Sequence, residues 1–266
     1  MLSPRAQLLG TGDFVAWDGG CLLIGQAHRE TGMHSHYAIQ FSFGATHGIR
    51  FRPSEAVPYT AYDGAIIASR QPHMMDATTV GLSATMLIEK ETPEGRALDD
   101  MFATEGINAI ARARFASAAE ALFSTWERHR HGEATSKAAR DAVHAITGRI
   151  EPAVLTDERV VKAIAYINKH LDGPLTLRDV AGQAFLSPAR FRHVFVEQTG
   201  TALRAYILWR RFLRAWELIR DGASISTAAH AAGFADAAHL TRTSQRMFGF
   251  APSALLVRAR PDSVEA

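Results

Sequence analysis

His34, His36, Ala38, Gln40 and Ser42 fall at alternate positions of a 266-residue chain, and theirs are the side chains that most directly offer chemistry. On a strand, residues two apart share a face, so two imidazoles, an amide and a hydroxyl look one way. Tyr37, Ile39, Phe41 and Phe43 look the other. One face is then apolar packing and the opposite is small and polar, a lining that suits a barrel interior holding a ligand. Imidazoles so placed hydrogen-bond inside the pocket or at its rim. His28, His47, Arg50, Arg52 and Arg70 add cationic positions, readable as contacts for an anionic effector or as solvated surface. No Ser/His/Asp or Cys/His arrangement can be placed, which argues against an enzyme. The single cysteine, Cys21, excludes an intrachain disulfide and a Cys-cluster zinc site and reads as a small buried hydrophobe.

Arginines toward the other end offer a second chemistry. Residues 157–260 hold 15 Lys and Arg against 8 Asp and Glu, residues 1–156 hold 14 against 17, and the whole chain carries only +2. Thirteen of those 15 are arginine, which bonds phosphates and guanine edges in bidentate fashion. The same region repeats. The segment from Thr176 to Ser187 falls on Ser224 to Ala235 at an offset of 48, and after a one-residue slip Phe191 falls on Leu240, His193 on Arg242 and Gly200 on Gly249. Each unit reads as a helix, a tight turn and a longer helix ending at glycine, the pattern of a helix-turn-helix, at 175–200 and again at 224–249.

In the first unit Thr176 caps a helix through Ala184, and Ser187-Pro188 starts the second helix with a cap and an N-terminal proline. Phe191, Val194 and Phe195 must face inward, leaving Ala189, Arg190, Arg192 and His193 to meet base edges or backbone. In the second unit the helix from Asp236 to Met247 buries Leu240, Ser244 and Met247. It presents Ala237, Ala238, His239 and Arg242, with Gln245 and Arg246 beside them. Arg190 and Arg242 are the expected hydrogen-bond donors, whereas the alanines offer only apolar contact, for instance with a thymine methyl. A helix from about Ala202 to Arg220 joins the heads, with Tyr206, Trp209, Phe212, Leu213, Trp216, Leu218 and Ile219 along one side. Its Arg204, Arg210, Arg211 and Arg214 are expected to pair with acids or face the backbone. Double-stranded DNA is the partner such heads imply, read in successive major grooves roughly 34 Å apart.

The elements that must position these residues change character along the chain. From about Thr11 to Glu91, short apolar runs broken by Gly, Pro and Asp (Cys21 to Gln26, Tyr37 to Phe43, Ile49 to Phe51, Ala65 to Ala68, Thr85 to Ile88) predict strands. From Pro93 to Ile150 the period becomes helical, with apolar stripes that include Phe115, Leu122, Phe123, Trp126, Val143 and Ile146. These helices either pack on the strands, the default for such a stripe, or form a dimer interface. Asp157 is the expected cap of a helix carrying Val160, Val161, Ile164, Ile167 and Leu171, and Glu-Pro near 151–156 marks the boundary between domains at 1–152 and 153–266. The fold class is α+β in two domains. No apolar run reaches the eighteen residues of a membrane span and Met1 to Gly10 lacks signal-peptide character, so a cytoplasmic protein without membrane contact is expected.

Residues 157–258 resemble the DNA-binding domain of the AraC/XylS family of bacterial transcription regulators. The resemblance is carried by Tyr206-x4-Arg211-Phe212-x2-Ala215-x2-Leu218-Ile219, by Ile225-x3-Ala229-x3-Gly233-Phe234-x-Asp236-x2-His239-Leu240-x-Arg242, and by Met247-Phe248-Gly249-x2-Pro252. It implies promoter DNA as target, RNA polymerase as partner, activation more often than repression, and an effector-sensing front half in a homodimer. Ser244, Ala237-Ala238 and His193 depart from residues common in the family, which makes the two heads unequal.

The segment from Gly32 to Gly44, with Asp63-Gly64 and Pro72-His73, resembles the two motifs of a cupin barrel, in which His-x-His, a Glu or Gln four residues on and a later His can bind a divalent metal. This implies a cupin-like N-terminal β-barrel with trailing helices, and His34, His36, Gln40 and His73 as ligand-binding residues. Those four are the metal ligands if a metal is held, and the other reading has them hydrogen-bonded with no cofactor. Cupin barrels include dioxygenases and isomerases, but fusion to a complete DNA-binding domain favours a sensor. A front half that only dimerises, in a ligand-independent or architectural DNA-binding protein, is the alternative.

Overall fold

A computed structural model describes residues 8–46, 48–102, 105–148 and 157–257. The front half is strand-rich. Strands β1 (Gly10–Trp17), β2 (Gly20–Ala27), β3 (Ile39–Gly44), β4 (Ile49–Arg52), β5 (Thr60–Tyr62), β6 (Gly64–Ile67), β7 (Met74–Asp76) and β8 (Ser83–Ile88) come first, then helix α1 (Pro93–Phe102), strand β9 (Ile107–Ile110), and helices α2 (Ala116–His129) and α3 (Glu133–Thr147). The large sheet runs β1-β2-β8-β3-β6-β9, and the small one β5-β4-β7. Among the described residues neither sheet closes on itself, so two open sheets stand where the cupin-like motifs predicted a closed barrel. The predicted strand runs are present, although the one beginning at Tyr37 starts at Ile39.

Alternation along β3 explains the layering. Phe41 and Phe43 point to one face and meet Phe115 at ring-centroid distances of 5.4 and 5.0 Å, while Phe123 of α2 stands 5.9 Å from Phe43. Leu122, Val143 and Ile146 are buried in the same cluster. The apolar stripes of α2 and α3 are thus used in packing on the large sheet, not held out for a partner. On the other face Gln40 and Ser42 look toward β7, and Ser42 pairs in register with Thr85 of β8.

The back half is helical: α4 (Glu158–Lys169), α5 (Leu177–Gln183), α6 (Pro188–Thr199), α7 (Leu203–Arg220), α8 (Ile225–Ala231) and α9 (Ala237–Phe248), then strand β10 (Leu255–Val257). The sequence capping signals act as read. The Asp157 side chain accepts from the backbone N–H of Arg159, and Thr176 and Asp179 form a reciprocal capping box. Val160 and Ile167 are buried, but Val161 is exposed, because successive helical positions cannot share one face. The expected boundary at 151–156 lies outside the described residues.

The two halves share a core. Trp209, Phe212 and Trp216 of α7 are fully buried; Phe248 packs 4.7 Å from Phe212, and Phe14 of β1 packs 5.8 Å from Trp216. Each such aromatic contributes about 1.5–3 kcal/mol by leaving water. β10 closes the arrangement by pairing in parallel with β1, Gly10 opposite Leu255. Among the described residues no helix is long and apolar enough to cross a membrane.

Candidate functional site

The two reading units are built alike. Ser187 caps α6 and Asp236 caps α9, accepting from the backbone N–H groups of Arg190 and His239. Both helices end at a left-handed glycine, Gly200 with φ 71° and Gly249 with φ 76°. Phe191, Val194 and Phe195 are buried, as are Leu240, Ser244 and Met247, and the Ser244 hydroxyl is satisfied by the Phe250 carbonyl at 2.7 Å. That bond explains why a serine is tolerated inside. Ala189, Arg190, Arg192, His193, Ala238 and Arg242 are exposed. Ala237 and His239 are half-buried, the latter because its ring lies edge-on against Phe234 at 5.1 Å. The structure therefore groups the residues expected to face DNA on the outer sides of α6 and α9. Three of the four connecting-helix arginines are engaged elsewhere: Arg210 pairs with Glu89 at 2.8 Å, Arg211 donates to the carbonyls of Leu171 and Gly173, and Arg214 reaches Glu217, while Arg204 is exposed.

The far ends of both reading helices are clasped by the strand-rich half. At α6, Tyr37 donates its hydroxyl hydrogen to the Thr199 carbonyl at 2.8 Å, Arg96 donates to the Gln198 carbonyl at 3.2 Å, and Arg70 donates to the Thr201 hydroxyl at 2.7 Å. At α9, the N–H of Gly32 donates to the Gly249 carbonyl at 2.9 Å and that of Ser35 to the Arg246 carbonyl at 3.1 Å. Sequence reading did not single out Glu89 and Glu91, which stand beneath α6 and α7 after β8. Trp209 donates its indole N–H to Glu89 at 3.0 Å. Burial, and then the nearby Glu89 charge, push the Glu91 carboxyl up to about 8. Two acids placed after an apolar strand were the available signal.

The structure brings His34, His36, Gln40 and His73 together. His34 and His73 exchange backbone hydrogen bonds, and one nitrogen from each of the three rings lies within 4.8 Å of the other two. Each Nδ1 faces a backbone carbonyl, His34 to Gly32 at 2.9 Å, His36 to Ala38 at 2.8 Å and His73 to Gln71 at 2.9 Å. A carbonyl only accepts, so each Nδ1 carries the hydrogen and each Nε2 keeps a lone pair. Burial holds the rings neutral, taking His34 down to about 3 and lowering His36 and His73. The Gln40 Oε1 nevertheless faces the Nε2 atoms of His36 and His73, at 2.8 and 3.1 Å. Acceptors facing acceptors suit a cation, and fixing Nδ1 through a carbonyl is how imidazole ligands are commonly oriented. The residues present thus fit a divalent metal. The hydrogen-bonded alternative turns the amide, so that its two N–H groups meet the two imidazoles and its oxygen meets Ser42.

Beside this cluster lies a cavity of about 80 Å³, lined by His34, His36, Gln40, Met75, Thr85 and, from the back half, Phe248 and Phe250. Its walls come from both halves. The other cations do not converge on it: Arg50 pairs with Asp76, Arg52 reaches Glu30 at 3.9 Å and stacks on Tyr59, and His28 is exposed. His47 lies outside the described residues. Cys21 is fully buried and its thiol is pushed up by that burial.

With paired heads, matched caps and outward arginines, the back half has the architecture of a DNA-binding unit, and comparison with known proteins agrees. Residues 180–258 match the model of a helix-turn-helix domain. The regulatory protein PocR of Salmonella typhimurium strain LT2 is 30% identical over 99 residues, 37% of this chain and 33% of that protein. The probable transcriptional regulator LumQ of Photobacterium leiognathi is 26% identical over 107 residues, 38% of this chain and 43% of that protein. The chain thus spans between a third and about two fifths of the length of these curated relatives. Over most of its length it shares a fold with ToxT from Vibrio cholerae strain SCE256. The apo form of a ToxT variant matches with a TM-score of 0.55 at 10% identity, covering 87% of this chain and 95% of that one. Wild-type ToxT with bound unsaturated fatty acid matches at 0.54 and 12%, covering 88% and 92%. The repeated unit is a helix-turn-helix domain, similar to those of AraC-type transcription regulators.

Proposed function

We propose that the chain is a sequence-specific DNA-binding transcription regulator, acting as a homodimer at promoters and activating through RNA polymerase, whose strand-rich half senses a small effector. Ala189, Arg190, Arg192 and His193 form the first reading face, and Ala237, Ala238, His239 and Arg242 the second. The observation that supports the sensing role most is the cavity walled by both halves. A molecule bound there touches residues of both, so it interacts differently with states that differ in how the heads are held. ToxT, similar in fold, has been solved with an unsaturated fatty acid. The cavity here, about 80 Å³, takes a smaller molecule unless its walls move. A cytoplasmic location follows from this role.

The test is enrichment of duplexes from a random pool by the full chain, followed by mapping of bound genomic sites. Recovery of an asymmetric site with two half-sites one helical turn apart supports the reading. Recovery of no preferred sequence would overturn it.

A further inference from the structure

We propose that a divalent transition metal held by His34, His36, His73 and Gln40 sets the position of the second reading helix through the contact of His34 and Gly32 with Gly249. This rests on the reading of the chain as a DNA-binding regulator, and it names the class of effector.

Three neutral imidazoles and an amide oxygen form a donor set for first-row ions such as Zn²⁺, Ni²⁺ or Co²⁺. The route from that set to α9 is short. His34 donates its Nδ1 hydrogen to the Gly32 carbonyl, and Gly32 in turn donates its N–H to the carbonyl of Gly249, the left-handed residue that ends α9. There is no slack in between: a Cβ on Gly249 would lie 2.4 Å from the Gly32 oxygen and 2.8 Å from the His34 Nδ1. One turn earlier in α9, the Arg246 carbonyl takes the N–H of Ser35. The segment carrying His34 is therefore bonded to the end of the reading helix on both sides of the ring. Ligation draws together ring nitrogens now up to 4.8 Å apart, and His34 cannot shift without carrying Gly32 and Gly249. Close-packed contacts of this kind transmit small displacements because they cannot deform independently. Phe248, the last residue of α9, lines the cavity that His34 and His36 also line.

The experiment uses the full chain, stripped by chelator and reloaded with Zn²⁺ or Co²⁺. Metal analysis is expected to give one ion per chain, lost in His36→Ala and His73→Ala. Because those changes open a buried site and can impair folding, Gln40→Glu is included, whose carboxylate is expected to tighten metal binding. Hydrogen exchange in peptides covering residues 30–36 and 244–251 is expected to slow on loading. Affinity for a labelled duplex, enriched from a random pool separately by stripped and loaded chain, is expected to change by at least about fivefold, the lower end of ordinary coupling, with metal affinity changing by the same factor when DNA is bound. Gly32→Ala, whose Cβ would sit 2.9 Å from the Gly249 oxygen, is expected to keep the metal and lose the coupling. Absence of stoichiometric metal overturns the proposal and leaves the turned Gln40 amide as the account of the cluster. Metal binding with unchanged exchange and unchanged DNA affinity overturns the coupling. Failure to enrich any duplex in either state would instead overturn the DNA-binding reading, with exchange in the two peptides still deciding the contact.

Discussion

The Tyr37 hydroxyl and the Thr199 carbonyl, 2.8 Å apart, tie the residue beside His36 to the last turn of the first reading helix. Tyr37 has one hydroxyl hydrogen and also touches the Glu91 carboxyl. If that hydrogen goes to Thr199, Glu91 must donate to Tyr37, which it does only when protonated. The raised affinity of Glu91 for its proton, caused by burial and by Glu89, agrees with this count. Tyr37→Phe removes the donor to a buried carbonyl and the acceptor for Glu91, at a cost of about 1–3 kcal/mol. Urea unfolding measures it directly, and faster hydrogen exchange in residues 195–201 is the expected local sign. An unchanged midpoint would mean that the bond adds nothing to stability.

The same carboxyl predicts a pH dependence. Its folded value, about 8, lies above its ordinary value of 4.5, so the folded chain keeps a proton that the unfolded chain releases. The contribution is fully present below about pH 4.5 and is lost as pH rises through about 8. Stability measured by urea midpoint is expected to decline across that window. Glu91→Gln, neutral at every pH, is expected to flatten the decline; a profile with the same slope would show that another group titrates there.

Glu89 anchors α7 through two donors, the Trp209 indole at 3.0 Å and the Arg210 guanidinium at 2.8 Å. The Arg210 side chain is only 17% exposed, so Glu89→Leu leaves a mostly buried cation without its partner. The expected cost is about 3–5 kcal/mol. The double change Glu89→Leu with Arg210→Met is expected to be milder than the single one, because no charge is left behind. Thermal and urea unfolding of the parent, Glu89→Leu, Arg210→Met and the double variant, combined as a cycle, tests this.

The reading heads were legible because local signals coincide there: caps at Ser187 and Asp236, glycines at helix ends and apolar spacing all encode one answer within each helix. The histidine cluster was half legible. His34, His36 and Gln40 lie close in sequence, and the alternation that placed Phe41 and Phe43 opposite them holds from Ile39 onward. His73 joins through a backbone bridge to His34, a long-range pairing that spacing alone does not encode. The barrel expectation failed for a related reason. Strand runs are local, but whether a sheet closes depends on which edges pair, and β10, from beyond the last helix, takes the edge of β1. The interface residues Glu89, Glu91, Phe248 and Phe250 were missed because their roles exist only once the halves are packed together.

At the reading faces, Arg190 and Arg242 are exposed with their helices capped just upstream. Each is expected to cost about 1–3 kcal/mol of binding when changed to Ala if it reads a base, with preference relaxed at one position of the site. If it meets a phosphate, binding weakens on all sequences and the salt slope falls by about one. Fluorescence anisotropy at several salt concentrations separates the two. Unchanged binding would remove that arginine from the interface.

The two helix-ending glycines make a controlled pair. Gly200 and Gly249 have nearly the same backbone, φ 71° and 76°, so alanine meets the same left-handed strain of roughly 1–2 kcal/mol at either position. Their surroundings differ. A Cβ at Gly200 would meet nothing nearer than the flexible Lys90 side chain at 3.7 Å, whereas one at Gly249 would lie 2.4 Å from the Gly32 backbone oxygen. Backbone cannot swing aside, so Gly249→Ala must also lift the end of α9 from the strand-rich half and break the bond from Gly32. Gly200→Ala is therefore expected to lower stability by the strain alone and to leave DNA affinity near that of the parent. Gly249→Ala is expected to lower stability further and to alter DNA affinity through the second head. Urea unfolding and duplex binding of the two variants side by side measure the difference. Equal effects from both would show that the tightness at Gly32 has no energetic consequence.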